Sequence, residues 1–176
     1  MFYRILDNME EYAGLLIKGY SQELADKFDG SSLKNSWEKM TIEVFDKENI
    51  KPLPEIVVGY IPLCNERVKN IIEEIAGDDE VEFLPCEFLG QQDKYYVMNI
   101  LGRLDCVDYD KSKFTKYPSS DKIMFFEHVE FKEDVKRNFF RIEDLKYCHY
   151  FVNETTKAKL EKAKIKGLVL SDELFK

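Results

Sequence analysis

"EVEFLPCEFLGQQDKYYVMNILGRLDCVDYDKS", Glu80 to Ser112, is the stretch whose reading decides the fold. Val81, Phe83, Cys86 and Phe88 read as a strand bent at Pro85, and "GQQDK" (90–94) supplies a turn. "YYVMNIL" then returns as a second, more apolar strand. Two β-rich runs joined by a short polar turn predict an antiparallel hairpin. Gly102 marks a kink or bulge where that strand ends. Beyond it, Asp105, Asp108 and Asp110 form a D-x-x-D-x-D series around Cys106.

Outward from this hairpin, the pattern does not alternate regularly between strands and helices. "FYRIL" (2–6), "TIEVF" (41–45), "EIVVGYI" (55–61), "IMFFEHVEF" (123–131), "NFFRI" (138–142) and "LVL" (168–170) read as strands, and 113–122 as a polar loop. "SQELADKF" reads as a short helix capped by Ser21, with Leu24 and Phe28 on one face, and Trp37 falls in or beside the core. Two segments carry strong helix signals. Over 65–76, Asn65 caps the start, Glu66 stands in the first turn, and Val68, Ile71, Ile72 and Ile75 make one apolar stripe. Gly77 is the expected C-cap. Over 154–166 the same grammar recurs, with Asn153 as cap and Gly167 as stop. The expected class is α+β, with a mixed, mostly antiparallel sheet and two main helices.

The 176 residues fit a single domain over 1–176, in which 1–60 is an N-terminal elaboration of 61–176. Hydrophobic residues make up 44%, enough for a sizeable core. The 34 acidic residues outnumber the 26 basic ones, giving a net charge of −8. Direct binding to nucleic acid is disfavoured, because the phosphate backbone is bound through cationic surface. A basic protein partner is favoured. The N-terminus has no secretory grammar, and no apolar run reaches the ~18–20 residues that span a bilayer. Cys64, Cys86, Cys106 and Cys148 include no C-x-x-C pair, so the expectation is a reduced, cytoplasmic protein with no membrane role.

Motifs for chemistry are sparse. The eight glycines form no G-x-S-x-G, G-x-G-x-x-G or P-loop pattern, and no cofactor is expected. Asp105, Asp108 and Asp110 lack the Gly and terminal Glu of a calcium loop, and Asp commonly serves turns through local hydrogen bonds. They remain the basis of one alternative, a metal-dependent hydrolase. Cys148 and His149 are neighbours on a strand and point to opposite faces, so they do not pair as nucleophile and base. The lysines of 157–166 read as a solvated helix face. Tyrosines 95, 96, 109, 117, 147 and 150 are too many all to be deeply buried, and one of Tyr95 and Tyr96 faces outward. The acids Glu73, Glu74, Asp78, Asp79, Glu80 and Glu82 gather at the end of the first strong helix, and form the candidate surface for a basic partner.

The blocks "EVEFLPCEF", "KYYVMNILGRLDCVDYDKS", "NFFRI" and "YFVNETTKAKLEKAKIKGLVL" follow one another in an order that resembles immunity protein family eleven of bacterial polymorphic toxin systems. That family's strand-and-turn pattern is similar at Asn99, Leu101, Asp105, Cys106, Asp108 and Ser112. The resemblance covers residues 60–176 well and the first sixty loosely. It implies a non-enzymatic antidote that binds and blocks a cognate toxin domain, with no catalytic residues to carry over. With the negative charge, it makes a basic toxin such as a nuclease the expected partner.

Overall fold

The computed structural model describes residues 1–45, 47–48, 50–145 and 149–175. The first half of the chain runs β1 (Phe2–Asp7), β2 (Leu15–Ile17), α1 (Gln22–Asp26), β3 (Met40–Val44), β4 (Ile56–Val57), β5 (Leu63–Asn65), α2 (Glu66–Glu73) and β6 (Val81–Phe88). The second half runs β7 (Tyr95–Ile100), β8 (Lys113–Lys116), β9 (Ile123–His128), β10 (Phe139–Arg141), β11 (Tyr150–Asn153), α3 (Glu154–Ala163) and β12 (Leu168–Ser171). A four-stranded antiparallel sheet has the order β10-β11-β1-β12. A six-stranded sheet has the order β2-β3-β6-β7-β5-β4, and only its β3–β6 pair is parallel. β8 and β9 form a separate two-stranded ribbon. The class is α+β with mixed, mostly antiparallel sheets, as the sequence pattern predicts.

The β6–β7 hairpin forms in the expected register, with Val81 opposite Ile100 and Pro85 opposite Tyr96. Pro85 divides β6 functionally. β3 pairs only with the residues beyond it, starting at Cys86. The outer edge before it is met instead by the 31–33 segment, which bonds to Glu82.

Strand alternation sends side chains to opposite faces, and here both faces are used. On β7, Met98 and Ile100 enter a core shared with α2, α3 and the four-stranded sheet, whereas Tyr95 and Val97 enter a second core with Ile42, Leu63 and Phe88. On β10 and β11, Phe139 and Val152 face the shared core, while Phe140 and Phe151 face a third core beneath the ribbon. There Phe131 meets Phe2, Phe140 and Phe151 edge to face, with the Phe2 and Phe131 centroids 5.1 Å apart, while Phe140 and Phe151 stack. Such geometry adds to area burial because ring edges and faces carry opposite partial charge. The first sixty residues enter both main sheets: β1 lies between β11 and β12, and β2 and β3 complete one side of the six-stranded sheet.

Both strong helices start where expected. The Asn65 side chain accepts the N–H of Val68, and the Asn153 side chain that of Thr156. Their ends differ from the sequence reading. α2 closes at Glu74 in ordinary helical geometry, and Gly77 is not left-handed. Gly77 instead directs its N–H to the Glu80 carboxylate. In α3 it is Lys164 that turns left-handed, with φ 50°. Gly167 is still required, since it has φ 91° and a Cβ there would stand 3.0 Å from the Ile56 carbonyl oxygen.

Two further expectations change. The strand expected over 55–61 forms only at Ile56–Val57, as β4, because the chain turns over 58–62 and returns beyond the expected stretch as β5, with Leu63 opposite Val57. The polar loop over 113–122 begins as β8, whose Phe114 packs under the ribbon. Tyr95 is buried and Tyr96 half-buried, while Tyr109 and Tyr117 are exposed. Tyr147 and Cys148 lie outside the described residues.

Candidate functional site: an acid-lined groove

The acids at the end of α2 divide into two groups. Glu73, Glu74, Asp78 and Asp79 are exposed. Glu73 pairs with Lys69 one helical turn away at 2.7 Å, and Asp79 pairs with Arg137 at 2.8 Å. Glu80 and Glu82 are not surface residues, being 6% and 2% exposed. Both faces of β6 are covered at this end, so the expected alternation of inside and outside does not hold there.

Each buried carboxylate is saturated with donors. Glu80 accepts from the backbone N–H groups of Gly77, Asn138 and Phe139, tying the exit of α2 to the entry of β10. Glu82 accepts from the Ser32 hydroxyl at 2.6 Å, the Leu33 N–H at 2.7 Å and the Asn99 amide at 2.8 Å. Asn99 also donates to the Ser31 carbonyl. A buried charge is tolerated only when so engaged. Glu80 and Glu82 therefore hold the fold together and leave the set of candidate partner-binding residues.

Asp105, Asp108 and Asp110 do not converge. Asp105 is exposed and pairs with Lys132 at 2.9 Å, and Asp108 pairs with Lys111 at 2.8 Å. The Lys111 ammonium is the main reason the Asp108 carboxyl stays below the usual carboxylate range. The Asp108 carbonyl accepts from the backbone and hydroxyl of Ser112, so this pair staples the turn. Among the described residues, no group of three or more His, Cys, Asp or Glu side chains stands close enough to hold a metal ion.

The described thiols are buried. Burial pushes Cys86 up to about 11 and Cys106 up to about 12, and raises Cys64 further. A thiol held protonated is a poor nucleophile. His149 is half-buried against the Phe175 ring, with centroids 5.2 Å apart. Burial, and secondarily the charge of Arg4, lowers its pKa to about 4. His128 is exposed and stands 3.1 Å from Glu130.

A different acidic feature emerges from the tertiary structure. A groove of about 840 Å³ runs between the end of β9, the start of α3 and the segment after β12. Its lining brings together six exposed acids: Glu127, Glu130, Glu133, Glu154, Asp172 and Glu173. Its floor contains Phe2, Phe131 and Leu174. Lys132 is the lysine in this lining, and its ammonium is engaged by Asp105. Glu154 accepts the Tyr3 hydroxyl at 2.7 Å, which fixes one carboxylate at the groove wall.

The groove connects to the α2 acids through hydrogen bonds. Asn153, which lines it, donates to the Arg137 carbonyl, and Arg137 donates to the Asp79 carbonyl while pairing with the Asp79 carboxylate. Sequence reading found the local cluster at 73–82 and missed the groove, whose acids come from three separated segments. The signal available was the acid density of 127–133 and 172–173, and nothing local says that these segments meet.

No helix among the described residues is long and apolar enough to cross a membrane. No curated protein matches the chain. A family model described as Immunity protein family (Imm11) matches residues 11–173, so the match takes in most of the first sixty residues as well. The matched segment is nearly the whole chain and includes the β6–β7 hairpin, both main helices and the six acids of the groove, and the protein belongs to this immunity protein family.

Proposed function

We propose that this protein neutralises a cognate bacterial toxin domain by binding it in a stoichiometric complex that occludes the toxin's active site. The observation that carries this reading, beside family membership, is the acid-lined groove. Six carboxylates converge there from distant parts of the chain. Their mutual repulsion is relieved when a cationic surface docks, and opposite fields accelerate encounter. A toxin that acts on nucleic acid needs cationic surface to hold phosphates. Covering that surface with carboxylates would block its substrate directly. A basic nuclease is thus the partner class that fits, with Glu73, Glu74, Asp78 and Asp79 extending the contact beyond the groove. The reading assigns no catalysis to this chain. The buried, protonated thiols suit a cytoplasmic site of action.

The test is co-expression with the toxic domain encoded beside this protein. Cells should survive only when it is present, and a complex of the two should persist through size exclusion. Equal killing with and without it, with no complex recovered, would end the proposal.

A further inference from the structure

A second groove carries the opposite charge. It lies between α1, the short turn of 3₁₀ helix at Lys34–Ser36 and the start of β3, and has a volume of about 690 Å³. That size admits a short peptide segment, and the apolar part of its lining suits one bulky uncharged side chain. Phe28, only 3% exposed, forms the floor, and Leu24, Leu33, Trp37 and Met40 are half-buried around it. Trp37 is fixed in place: its indole N–H donates to the Pro85 carbonyl at 3.0 Å, and its ring meets Phe28 at 78°. A rigid, half-exposed aromatic wall loses little entropy on binding, which is the usual property of an interface hot spot.

The rim carries Lys18, Lys27 and Lys39 against one acid, Glu38. All three lysines are exposed, and among the described residues none has a carboxylate within ion-pair distance, whereas seven other lysines do. On a chain of net charge −8, this is a local reversal of sign around an apolar hole.

We infer that this groove is a docking site for an acidic peptide segment of a partner protein, which inserts one bulky apolar side chain between Leu24, Leu33 and Trp37 and sets carboxylates against the lysine rim. The apolar wall supplies affinity, and the rim supplies orientation and selects against cationic segments. The site stands apart from the acid-lined groove and does not depend on the toxin-binding reading.

A displayed library of random peptides, selected on the intact protein, tests this. Peptides with a bulky apolar residue flanked by acids should be enriched. Trp37 is the only tryptophan in the chain, so its emission reads occupancy directly. The leading peptide should shift that emission saturably. Its affinity should fall about tenfold in Lys27→Glu/Lys39→Glu and weaken with added salt. Both lysines are exposed, so circular dichroism of the variant should be unchanged. No enrichment, enrichment of neutral or basic peptides, an unresponsive Trp37, or equal affinity for the reversed variant would each overturn the inference. Because the probe is a peptide and not the toxin, failure here leaves the neutralisation test untouched.

Discussion

Glu80 and Glu82 stand beside Asp78 and Asp79 in sequence, yet the two pairs differ completely in what surrounds them. The first two are buried, and each accepts three hydrogen bonds, all but the one from Gly77 coming from residues remote in sequence. The second two are exposed, and Asp79 pairs at the surface with Arg137. Both pairs are carboxylates from one acidic run. The difference lies in donors brought by other elements: the 31–33 segment and Asn99 for Glu82, the β10 entry for Glu80. A carboxylate becomes structural where the fold buries it among several N–H and O–H donors, and stays available to a partner where it is exposed and held by one surface cation at most.

The largest effect should come from breaking the buried side. Glu82→Ala leaves the Leu33 N–H and the Ser32 hydroxyl without their acceptor, removes one of the two acceptors of the Asn99 amide, and loosens the 31–33 segment from β6. Loss of a charged, multiply bonded buried acceptor costs about 3 kcal/mol. Urea denaturation should show a midpoint well below that of the parent protein, with Glu82→Gln falling between the two. A change under about 0.5 kcal/mol would mean that water replaces these bonds, and that Glu82 is not a clamp.

Next is the exposed side. Glu127→Lys/Glu130→Lys/Glu133→Lys should leave stability within about 0.5 kcal/mol of the parent. It should weaken binding to a basic toxin domain about a hundredfold, mostly by accelerated dissociation and slower encounter. Calorimetric titration and unfolding on the same preparation separate the two quantities. Lost stability with unchanged affinity would reverse the roles assigned to the two sets of acids.

His149 sharpens the contrast from the other direction, as a half-buried base whose Nδ1 has no hydrogen-bond partner among the described residues. Its pKa falls from 6.5 to about 4 in the folded protein. Between those values the unfolded chain binds the proton and the folded one does not, so stability must decline as pH falls from 6.5 towards 4. Allowing for its partial exposure, the loss is roughly 1–2 kcal/mol. Melting temperatures measured across that range should fall less steeply for His149→Phe than for the parent. Parallel curves would assign the acid sensitivity to other groups.

The legible part of this molecule was what neighbouring residues decide. Asn65 and Asn153 mark helix starts because the capping oxygen and the N–H that it accepts lie three residues apart. The β6–β7 hairpin reads from two β-rich runs and a polar turn. Helix ends were less legible: α3 stops at a left-handed Lys164, a geometry that sequence would assign to Gly167. The strand over 55–61 is cut short at Val57 because an apolar run with a single glycine, Gly59, hides the turn that leads to β5. The candidate site was half legible. Its 73–82 members form a visible cluster, but the burial of Glu80 and Glu82 depends on tertiary donors. The groove depends on three segments that meet only in the folded chain.

The smallest effect concerns Asp105 and Asp108, acids that look alike in sequence and are each neutralised by a separate lysine. Asp105→Asn removes the exposed pair with Lys132, and such pairs are worth less than about 1 kcal/mol. Unfolding should scarcely register it. The sharper measurement is titration with Mg²⁺ and Mn²⁺, since hard cations need several convergent oxygens, and here the two carboxylates turn to Lys132 and Lys111 instead. The heats should match dilution into buffer for the parent protein and for Asp108→Ala alike. A saturable heat that disappears in Asp108→Ala would show that the lysines yield their carboxylates to a cation, and would return this turn from scaffold to chemistry.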